Sequence, residues 1–262
     1  MHAADQLATK VVITRPAAQA AELAQRVAAL GRSAVLFPLL EIQALADLTP
    51  LQAELARLRE YAMVAFVSPN AIDAAFSAHT DWPNEIAYAV MGEGSRSALA
   101  RHGINEAGAT IFSPRNRDRT DSETLLESLD LDALRGKKVL IVRGESGREL
   151  LADRLREHGI GVTQVAAYRR TAPELTDACR QQLKGLLADK NDWVVTSSEA
   201  LRILAAMTAE INLPFGVVKM QQQRIIVPHA RIAETAHALG FLDVSVTGSG
   251  DEGLLAALQF TA

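Results

Sequence analysis

The sequence predicts an α/β protein built around parallel β-sheets. Short runs rich in β-branched residues alternate along the chain with amphipathic stretches of about 12 to 15 residues, and this alternation is typical of strand–helix units. The chain also contains two diverged copies of one half-chain pattern. With 262 residues, each half is long enough to bury a core of its own. We therefore expect two α/β halves with the functional site in the cleft between them.

Four pairs of segments carry the internal repeat, and they follow the same order in both halves. In the first pair, residues 11–31 and 139–159, each segment contains an apolar strand, an arginine and a helix that ends at glycine. The other pairs are residues 65–76 with 194–205, 88–103 with 225–240, and 122–129 with 251–258. The shared order favours a duplication. Unrelated strand–helix units of one α/β domain are the alternative interpretation.

The segments between these pairs are interpreted as connections. Residues 37–42 and 165–172 each follow the first unit of a half and are extended in character, so we expect them to run alongside each other. Residues 113–122 are polar and rich in structure breakers, which predicts a mobile surface loop. Residues 1–8 are predicted to form a frayed tail.

Charge and cysteine content narrow the functional classes. Lysine and arginine total 27 against 31 for aspartate and glutamate, so a net charge of −4 attracts neither nucleic acid nor anionic lipid. The single cysteine, Cys179, excludes an internal disulfide, and the start of the sequence lacks the pattern of a signal peptide. No apolar run approaches the roughly 20 residues that cross a bilayer. We expect a cytoplasmic protein that binds neither nucleic acid nor membranes.

Several hydroxyl residues lie between a predicted strand and the helix that follows it. They are Ser68, Ser95, Thr196, Ser197 and Ser198. Helix capping alone explains such residues. Open α/β sheets, however, bind ligands beyond the carboxyl ends of their strands, where unpaired helix N–H groups favour anions. We therefore take these residues as candidates for substrate binding, with capping as the alternative for each.

Three arginines are further candidates. Arg15 and Arg143 occupy equivalent positions just after the first strand of each half. Arg148 is predicted in the first turn of the helix that follows Arg143, where the helix macrodipole disfavours a cation. This placement indicates a role other than helix stability, such as binding carboxylates. A solvated or structurally paired arginine is the alternative at each position.

The sequence contains no complete nucleotide or metal motif. Residues 92–96, GEGSR, follow a strand and open a helix, but Ser97 stands where a dinucleotide fingerprint has its third glycine. The histidines are scattered, and the serine elbow of α/β hydrolases is missing. We therefore expect no cofactor and no metal. Tyr168 lies in the second connection, where packing at an interface and a role in the site are both open.

Short motifs spread over essentially the whole chain occur in a specific order. They are VxITRP from Val11, FVSPNA from Phe66, the GxxS after Val90, DSExLL, IVRGESGRELL from Ile141, VAAYRRT from Val165, VVTSSEAL from Val194 and a closing GxxxLLAAL. Each motif is short, but their order and spacing together resemble those of the uroporphyrinogen-III synthase family.

The resemblance implies a fold and a division into domains. The family has two flavodoxin-like domains joined by a two-stranded connector, with the active site in the cleft between the domains. Its chain leaves the first domain after one strand–helix unit and returns to it later. By this pattern, residues 1–38 and 171–262 form one domain and residues 43–167 form the other. Residues 37–42 and 165–172 are then the paired connectors.

The resemblance also implies a reaction. The family's substrate is hydroxymethylbilane, a linear tetrapyrrole polycarboxylate supplied by the preceding deaminase of haem biosynthesis. The family eliminates water, inverts the last pyrrole ring and closes the macrocycle to uroporphyrinogen III, and no cofactor takes part. Such an enzyme is a lyase, and we expect this one to be a monomer.

The family's cleft residues correspond to Ser68, Ser95, Arg148, Tyr168 and Ser197 of this sequence. Tyr168 is the predicted catalytic residue, because its family counterpart is the group expected to contact the departing hydroxyl. The other four are predicted to bind substrate, as are Thr196 and Ser198, which flank Ser197. Arg15 and Arg143 stay candidates from the residue pattern.

One segment departs from the family pattern. Where many members have a GxTT turn before the penultimate helix, this chain has Pro228 and His229 followed by Ala230. A ligand contact there has to use backbone N–H groups or Arg231. We therefore add Arg231 to the predicted substrate-binding residues.

Two other functional classes fit parts of the sequence. Two α/β lobes around a cleft also describe hinge-closing receptors for small anions, which work outside the membrane and require a signal peptide. A nucleotide-binding enzyme requires a fuller glycine loop than residues 92–96 provide. Saturable binding of a linear tetrapyrrole that added NAD or ATP does not shift would separate the three classes.

Overall fold

The computed structural model describes residues 9–83, 85–115, 122–248 and 250–259. The tail predicted at residues 1–8 and the greater part of the loop predicted at residues 113–122 lie outside this part of the chain.

The described strands and helices alternate along the chain. The strands are β1 (Val11–Ile13), β2 (Ala34–Leu36), β3 (Glu41–Gln43), β4 (Met63–Phe66), β5 (Ala87–Val90), β6 (Ile111–Phe112), β7 (Lys138–Gly144), β8 (Gly161–Thr171), β9 (Asp192–Val194), β10 (Arg224–Val227) and β11 (Asp243–Val246). The helices are α1 (Ala17–Ala29), α2 (Thr49–Leu55), α3 (Pro69–Ala78), α4 (Glu93–Arg101), α5 (Ser122–Leu126), α6 (Leu131–Leu134), α7 (Leu150–Glu157), α8 (Asp177–Ala188), α9 (Ser198–Glu210), α10 (Gly216–Gln221), α11 (Ala230–Ala238) and α12 (Asp251–Gln259). A short 3₁₀ turn, Leu58–Glu60, precedes β4.

The strands form two sheets. The first has the order β11-β10-β9-β1-β2 with parallel pairing. Numbered along the chain from the β2 edge, this is the 2-1-3-4-5 order of flavodoxin-like sheets. The second sheet has the order β3-β8-β7-β4-β5-β6, and β8 to β6 are parallel. The predicted α/β class with parallel sheets is confirmed.

Apart from β3 at its edge, the second sheet repeats the spatial order of the first. β8 and β7 take the places of β2 and β1, and β4, β5 and β6 take those of β9, β10 and β11. The registers agree as well: Val11 pairs with Asp192, and its counterpart Val139 pairs with Met63. This agreement favours duplication over unrelated units. The two sheets differ in their order along the chain. β7 and β8 follow β4 to β6 in the sequence, whereas their counterparts β1 and β2 precede β9 to β11.

The chain divides into two compact units, with boundaries between Glu41 and Ile42 and between Arg170 and Thr171. The first unit contains β1, β2 and β9 to β11, and the second contains β4 to β7 and nearly all of β8.

The segments predicted as connectors are largely built into these units. Phe37, Leu39 and Leu40 are buried in a core cluster of the first unit. β8 is paired with β7 from its first residue as far as Tyr168, and β3 lies next to β8 in the second sheet. The extended character of both segments therefore reflects core packing and sheet pairing. Residues 165–168 thus belong to the second sheet, and the role of residues 37–42 and 165–172 as paired connectors stays a prediction.

Both faces of each sheet are apolar because helices cover both. In β4, Val64 and Phe66 pack into one buried cluster, while Met63 and Ala65 pack into another on the opposite face. The first unit has the same arrangement around β1. Full burial of each such Val or Phe stabilises the fold by about 1.5–3 kcal/mol. Because helices cover both faces of each sheet, the polar groups of a binding site are expected in the loops at the carboxyl ends of the strands.

Candidate active site

In the second unit, Ser68 and Tyr168 meet at the carboxyl end of β4. Ser68 is the N-cap residue of α3, and its hydroxyl accepts a hydrogen bond from the Ala71 N–H at 3.2 Å. The same hydroxyl lies 3.0 Å from the hydroxyl of Tyr168. Tyr168 is 5% exposed as a residue, and its side chain packs in the core. Ser68 is therefore both a helix cap and the partner of the predicted catalytic tyrosine.

Gly144 leaves room for this meeting. β7 lies between β8 and β4, so the Tyr168 ring has to cross the end of β7 to reach Ser68. A Cβ at Gly144 would lie 3.0 Å from Cζ and 3.2 Å from the hydroxyl oxygen of Tyr168. The register shifts here, because Arg143 pairs with Ala166 but Gly144 pairs with Tyr168. Such a bulge re-aims the side chain that follows it.

Sequence reasoning did not identify Gly144 as a site residue. The available signal was that Gly144 follows the apolar strand and the arginine of the repeat segment 139–159. That signal does not say which side chain crosses the glycine, because Tyr168 is distant in the sequence.

Ser95 does not cap a helix, contrary to the capping interpretation. The N-cap residue of α4 is Gly92, and Ser95 is the third residue of the helix, where its N–H bonds the Gly92 carbonyl at 3.1 Å. Its side chain is buried at 4% exposure. The helix begins earlier than predicted, since glycine itself serves as an N-cap residue. The role of Ser95 in substrate binding stays a prediction.

Arg143 was predicted just after a strand, but it lies within β7. Its guanidinium donates to Glu149 Oε1 at 2.5 Å and to Gln164 Oε1 at 2.6 Å. Gln164 donates in turn to Glu149 Oε2 at 2.6 Å, which closes a ring of three side chains. The Gln164 amide and then the Arg143 guanidinium lower the pKa of the Glu149 carboxyl. With only 8% of Arg143 exposed, these contacts describe a structural brace.

Arg148 precedes α7 instead of lying in its first turn. The helix begins at Leu150 with Glu149 as its N-cap residue, so the predicted conflict with the macrodipole does not arise. Arg148 Nη1 lies 3.4 Å from Glu123 Oε1, and both side chains are nearly half exposed. A pair this long and this exposed is weak. Arg148 is therefore able to exchange this partner for another anion.

In the first unit, three neighbouring hydroxyl residues follow β9. Ser197 caps α9 by accepting the Glu199 N–H at 3.1 Å, which confirms the capping interpretation. Ser198 is the first helical residue, and its hydroxyl lies 3.0 Å from that of Thr235 on α11. Thr196 is half-buried in the loop before the cap. Ser197 and Thr196 thus lie at the carboxyl end of a central strand, the expected ligand side of such a sheet.

Two arginines lie at the same end of the first sheet. Arg15, after β1, forms a 2.7 Å ion pair with Asp251 at the start of α12, and its side chain is 17% exposed. Arg231 is exposed in the first turn of α11, where His229 makes no capping bond with its side chain. Within the described residues, Arg231 has no ion pair. Of the four predicted arginines, Arg231 and Arg148 are therefore the most available to an anion.

Among the residues that the structure describes, no three His, Cys, Asp or Glu side chains come together as a metal site requires. None of the described helices is both long and apolar enough to cross a membrane.

Most of the chain matches the model of a known protein family. The model, described as uroporphyrinogen-III synthase HemD, covers residues 21–250. The chain belongs to the uroporphyrinogen-III synthase family.

Relatives that bear the family's name match over nearly their full length. A uroporphyrinogen-III synthase from Salmonella typhimurium is 33% identical over 95% of this chain and 99% of its own. One from Escherichia coli is 32% identical over the same shares of the two chains. The match therefore includes both units.

Solved structures of uroporphyrinogen-III synthases share the fold. The enzyme from Helicobacter pylori superposes with a TM-score of 0.60 at 16% identity, covering 95% of this chain and 98% of its own. A mutant from Thermus thermophilus gives 0.57 at 13% identity, covering 95% and 96%. At such identities the similarity concerns the fold alone.

Proposed function

We propose that this chain is itself a uroporphyrinogen-III synthase. It removes water from hydroxymethylbilane, inverts the last pyrrole ring and closes the macrocycle to uroporphyrinogen III, which makes it a lyase of haem biosynthesis. The observation that carries the proposal is the match, at 33% and 32% identity, to two enzymes of that name over nearly their entire length.

Tyr168 is the proposed catalytic residue. Loss of the substrate hydroxyl as water leaves an azafulvene cation, and the substituted carbon of the last ring attacks this cation to form a spiro intermediate. Fragmentation of that intermediate and reclosure then invert the ring. The Tyr168 hydroxyl donates a hydrogen bond to the departing oxygen and eases the first of these steps. Support comes from its position at the carboxyl end of β4, where ligands of parallel sheets bind.

Ring inversion depends mainly on how the substrate is folded. An unguided tetrapyrrole closes without inversion, so the protein has to hold the disfavoured carbon close to the cation. We propose that Arg148 and Arg231 hold substrate carboxylates, together with Ser95 and the hydroxyl residues Thr196, Ser197 and Ser198. Arg15 and Arg143 have ion-pair partners at 2.7 Å and 2.5 Å, which supports an indirect role for both.

The proposal also states where the substrate binds and where in the cell the reaction takes place. Substrate binds in a cleft between two domains, one formed by residues 1–38 and 171–262 and the other by residues 43–167. Closure of the two domains excludes water from the cation. Small-angle scattering should then give a smaller radius of gyration with product bound, while an unchanged profile at saturation would contradict closure. We propose a cytoplasmic monomer that needs no cofactor and receives its substrate from the preceding deaminase.

The deciding experiment is a coupled assay. The purified protein is supplied with hydroxymethylbilane formed by a deaminase, and the type III and type I isomers are separated and quantified. We expect the type III isomer to dominate, with no effect of added NAD or ATP. Type I product alone, at the rate seen without the protein, would reject the proposed function.

A further inference from the structure

We propose that Ser68 acts as a positioning residue for Tyr168, donating a hydrogen bond to its phenolic oxygen so that the phenol proton points to the substrate. The inference rests on the proposed function, since it concerns how Tyr168 meets the departing hydroxyl. It gives Ser68 a role through Tyr168, where the sequence pattern predicted direct binding of substrate.

The hydrogen bonds around Ser68 set the direction. A serine hydroxyl has one proton to donate and two lone pairs to accept with. One lone pair accepts the Ala71 N–H at 3.2 Å, at the start of α3. The Tyr168 oxygen lies 3.0 Å away, within reach of the Ser68 proton. When Tyr168 donates its own proton to a substrate oxygen, all three groups are satisfied only if the Ala71 N–H donates to Ser68 and the Ser68 hydroxyl donates to Tyr168.

The order of donors has a chemical consequence. A hydrogen bond donated to the phenolic oxygen stabilises the negative charge that develops there as the phenol proton moves towards the leaving oxygen. The Ala71 N–H lies in the first turn of α3, where the helix end carries a partial positive charge. It polarises the Ser68 hydroxyl in the same direction. Each donor in the series therefore favours donation from Tyr168.

Packing leaves the Tyr168 ring little freedom to lose this contact. Tyr168 is 5% exposed and shares a core cluster with Val165 and Ala167 of its own strand. The register shift at Gly144 and the missing side chain of that glycine direct the ring across β7 towards Ser68. Ser68 is fixed independently as the N-cap residue of α3. The two hydroxyls are thus held together by separate parts of the unit.

A double-mutant cycle tests the inference. The variants are Ser68→Ala, Ser68→Gly, Ser68→Thr and Tyr168→Phe, together with Ser68→Ala combined with Tyr168→Phe. Glycine is included because it is tolerated as an N-cap residue, so it removes the hydroxyl with little loss of helix stability. Thr176→Ala is the matched control, because Thr176 caps α8 and accepts the Cys179 N–H at the same 3.2 Å. Melting temperature, kcat, KM and the isomer ratio are measured for each.

We expect Ser68→Ala and Ser68→Gly to lower kcat by about 2- to 12-fold, the rate factor for losing one neutral hydrogen bond, with KM unchanged. Ser68→Thr should restore kcat. In the Tyr168→Phe background, Ser68→Ala should cause no further loss, because the group it positions is already gone. Thr176→Ala should lower the melting temperature as Ser68→Ala does and leave kcat unchanged.

The inference fails if Ser68→Ala lowers kcat by the same factor with and without the Tyr168 hydroxyl, or if it raises KM alone. Either result would return Ser68 to direct substrate binding or to capping. These outcomes differ from failure of the proposed function, which appears in the unaltered protein as an absence of type III product. If that product forms and the cycle is additive, only the role of Ser68 is rejected.

Discussion

Replacing Asp192 by asparagine should destabilise the first unit by about 3 kcal/mol. The Asp192 carboxylate, 5% exposed, lies 2.7 Å from Arg32 Nη2 and 3.5 Å from Arg224 Nη1. The side chains of Arg32 and Arg224 are themselves only 8% and 14% exposed. Asparagine keeps the size of the side chain but leaves two buried guanidinium groups without a counter-charge. Breaking a buried pair in this way typically costs about 3–5 kcal/mol.

Two contacts place the expected loss at the lower end of that range. Arg32 donates to the Leu258 carbonyl at 3.2 Å, and Arg224 donates to the Ala257 carbonyl at 3.2 Å, both near the end of α12. These carbonyls persist in the variant and carry the partial negative charge of a helix end. At about 2–4 °C per kcal/mol for a domain of this size, the melting temperature should fall by about 6–12 °C.

Tryptophan fluorescence can report this unit alone. The chain has two tryptophans, Trp193 beside Asp192 and Trp82 in the second unit. Urea titrations in a Trp82→Phe background therefore follow the first unit through Trp193, which is fully buried. The free energy of unfolding is compared with and without Asp192→Asn.

Glu210→Gln is the matched control. Glu210 pairs with Arg180 at the same 2.7 Å, but the two side chains are 62% and 32% exposed. Exposed pairs contribute about 0.2–1 kcal/mol, so this variant should lose much less. Equal losses in the two variants, or a loss below about 1 kcal/mol for Asp192→Asn, would refute the argument from burial.

Further predictions concern the site and stability. Arg148→Glu should raise KM more than Arg148→Ala, with the difference shrinking in added salt; equal KM values at low salt would remove Arg148 from the site. Gly144→Ala should lower kcat by pushing the Tyr168 ring aside, and a normal kcat would show that the ring yields without cost. Burial raises the pKa of Tyr88 to about 12, and its hydroxyl has no partner among the described residues. Tyr88→Phe should therefore be neutral or stabilising in urea titrations, and a loss above about 1 kcal/mol would point to a hidden partner. Hydrogen bonds from Arg57 and then Lys138 lower the pKa of Glu60 from 4.5 to about 2. Because this folded-state pKa is depressed, its contribution to stability is present above about pH 4.5 and disappears towards pH 2, so Glu60→Gln should flatten the acid limb of melting temperature against pH.

Local patterns in the sequence predicted local features well. The alternation of strands and helices predicted the α/β class, and the repeated segments correspond to strands in equivalent places of the two sheets. Ser68 and Ser197 cap their helices as the position after a strand suggested. Arg148 and Ser95 show the limit of this reasoning, since each depended on where a helix begins. Helix starts shift by a few residues when glycine or glutamate takes the cap position.

The fold class, the internal repeat, the candidate hydroxyl and arginine residues and the family could all be predicted from the sequence, because periodicity, order and spacing are properties of the chain. Which of those residues have partners depends on the tertiary contacts. The tertiary structure closes Arg143 into a ring with Glu149 and Gln164, pairs Arg15 with Asp251, and brings Tyr168 across Gly144 to Ser68. The contacts of Arg15 with Asp251 and of Ser68 with Tyr168 join residues far apart in sequence. For Ser68 and Tyr168, strand order and a register shift set which side chains share an edge of the sheet.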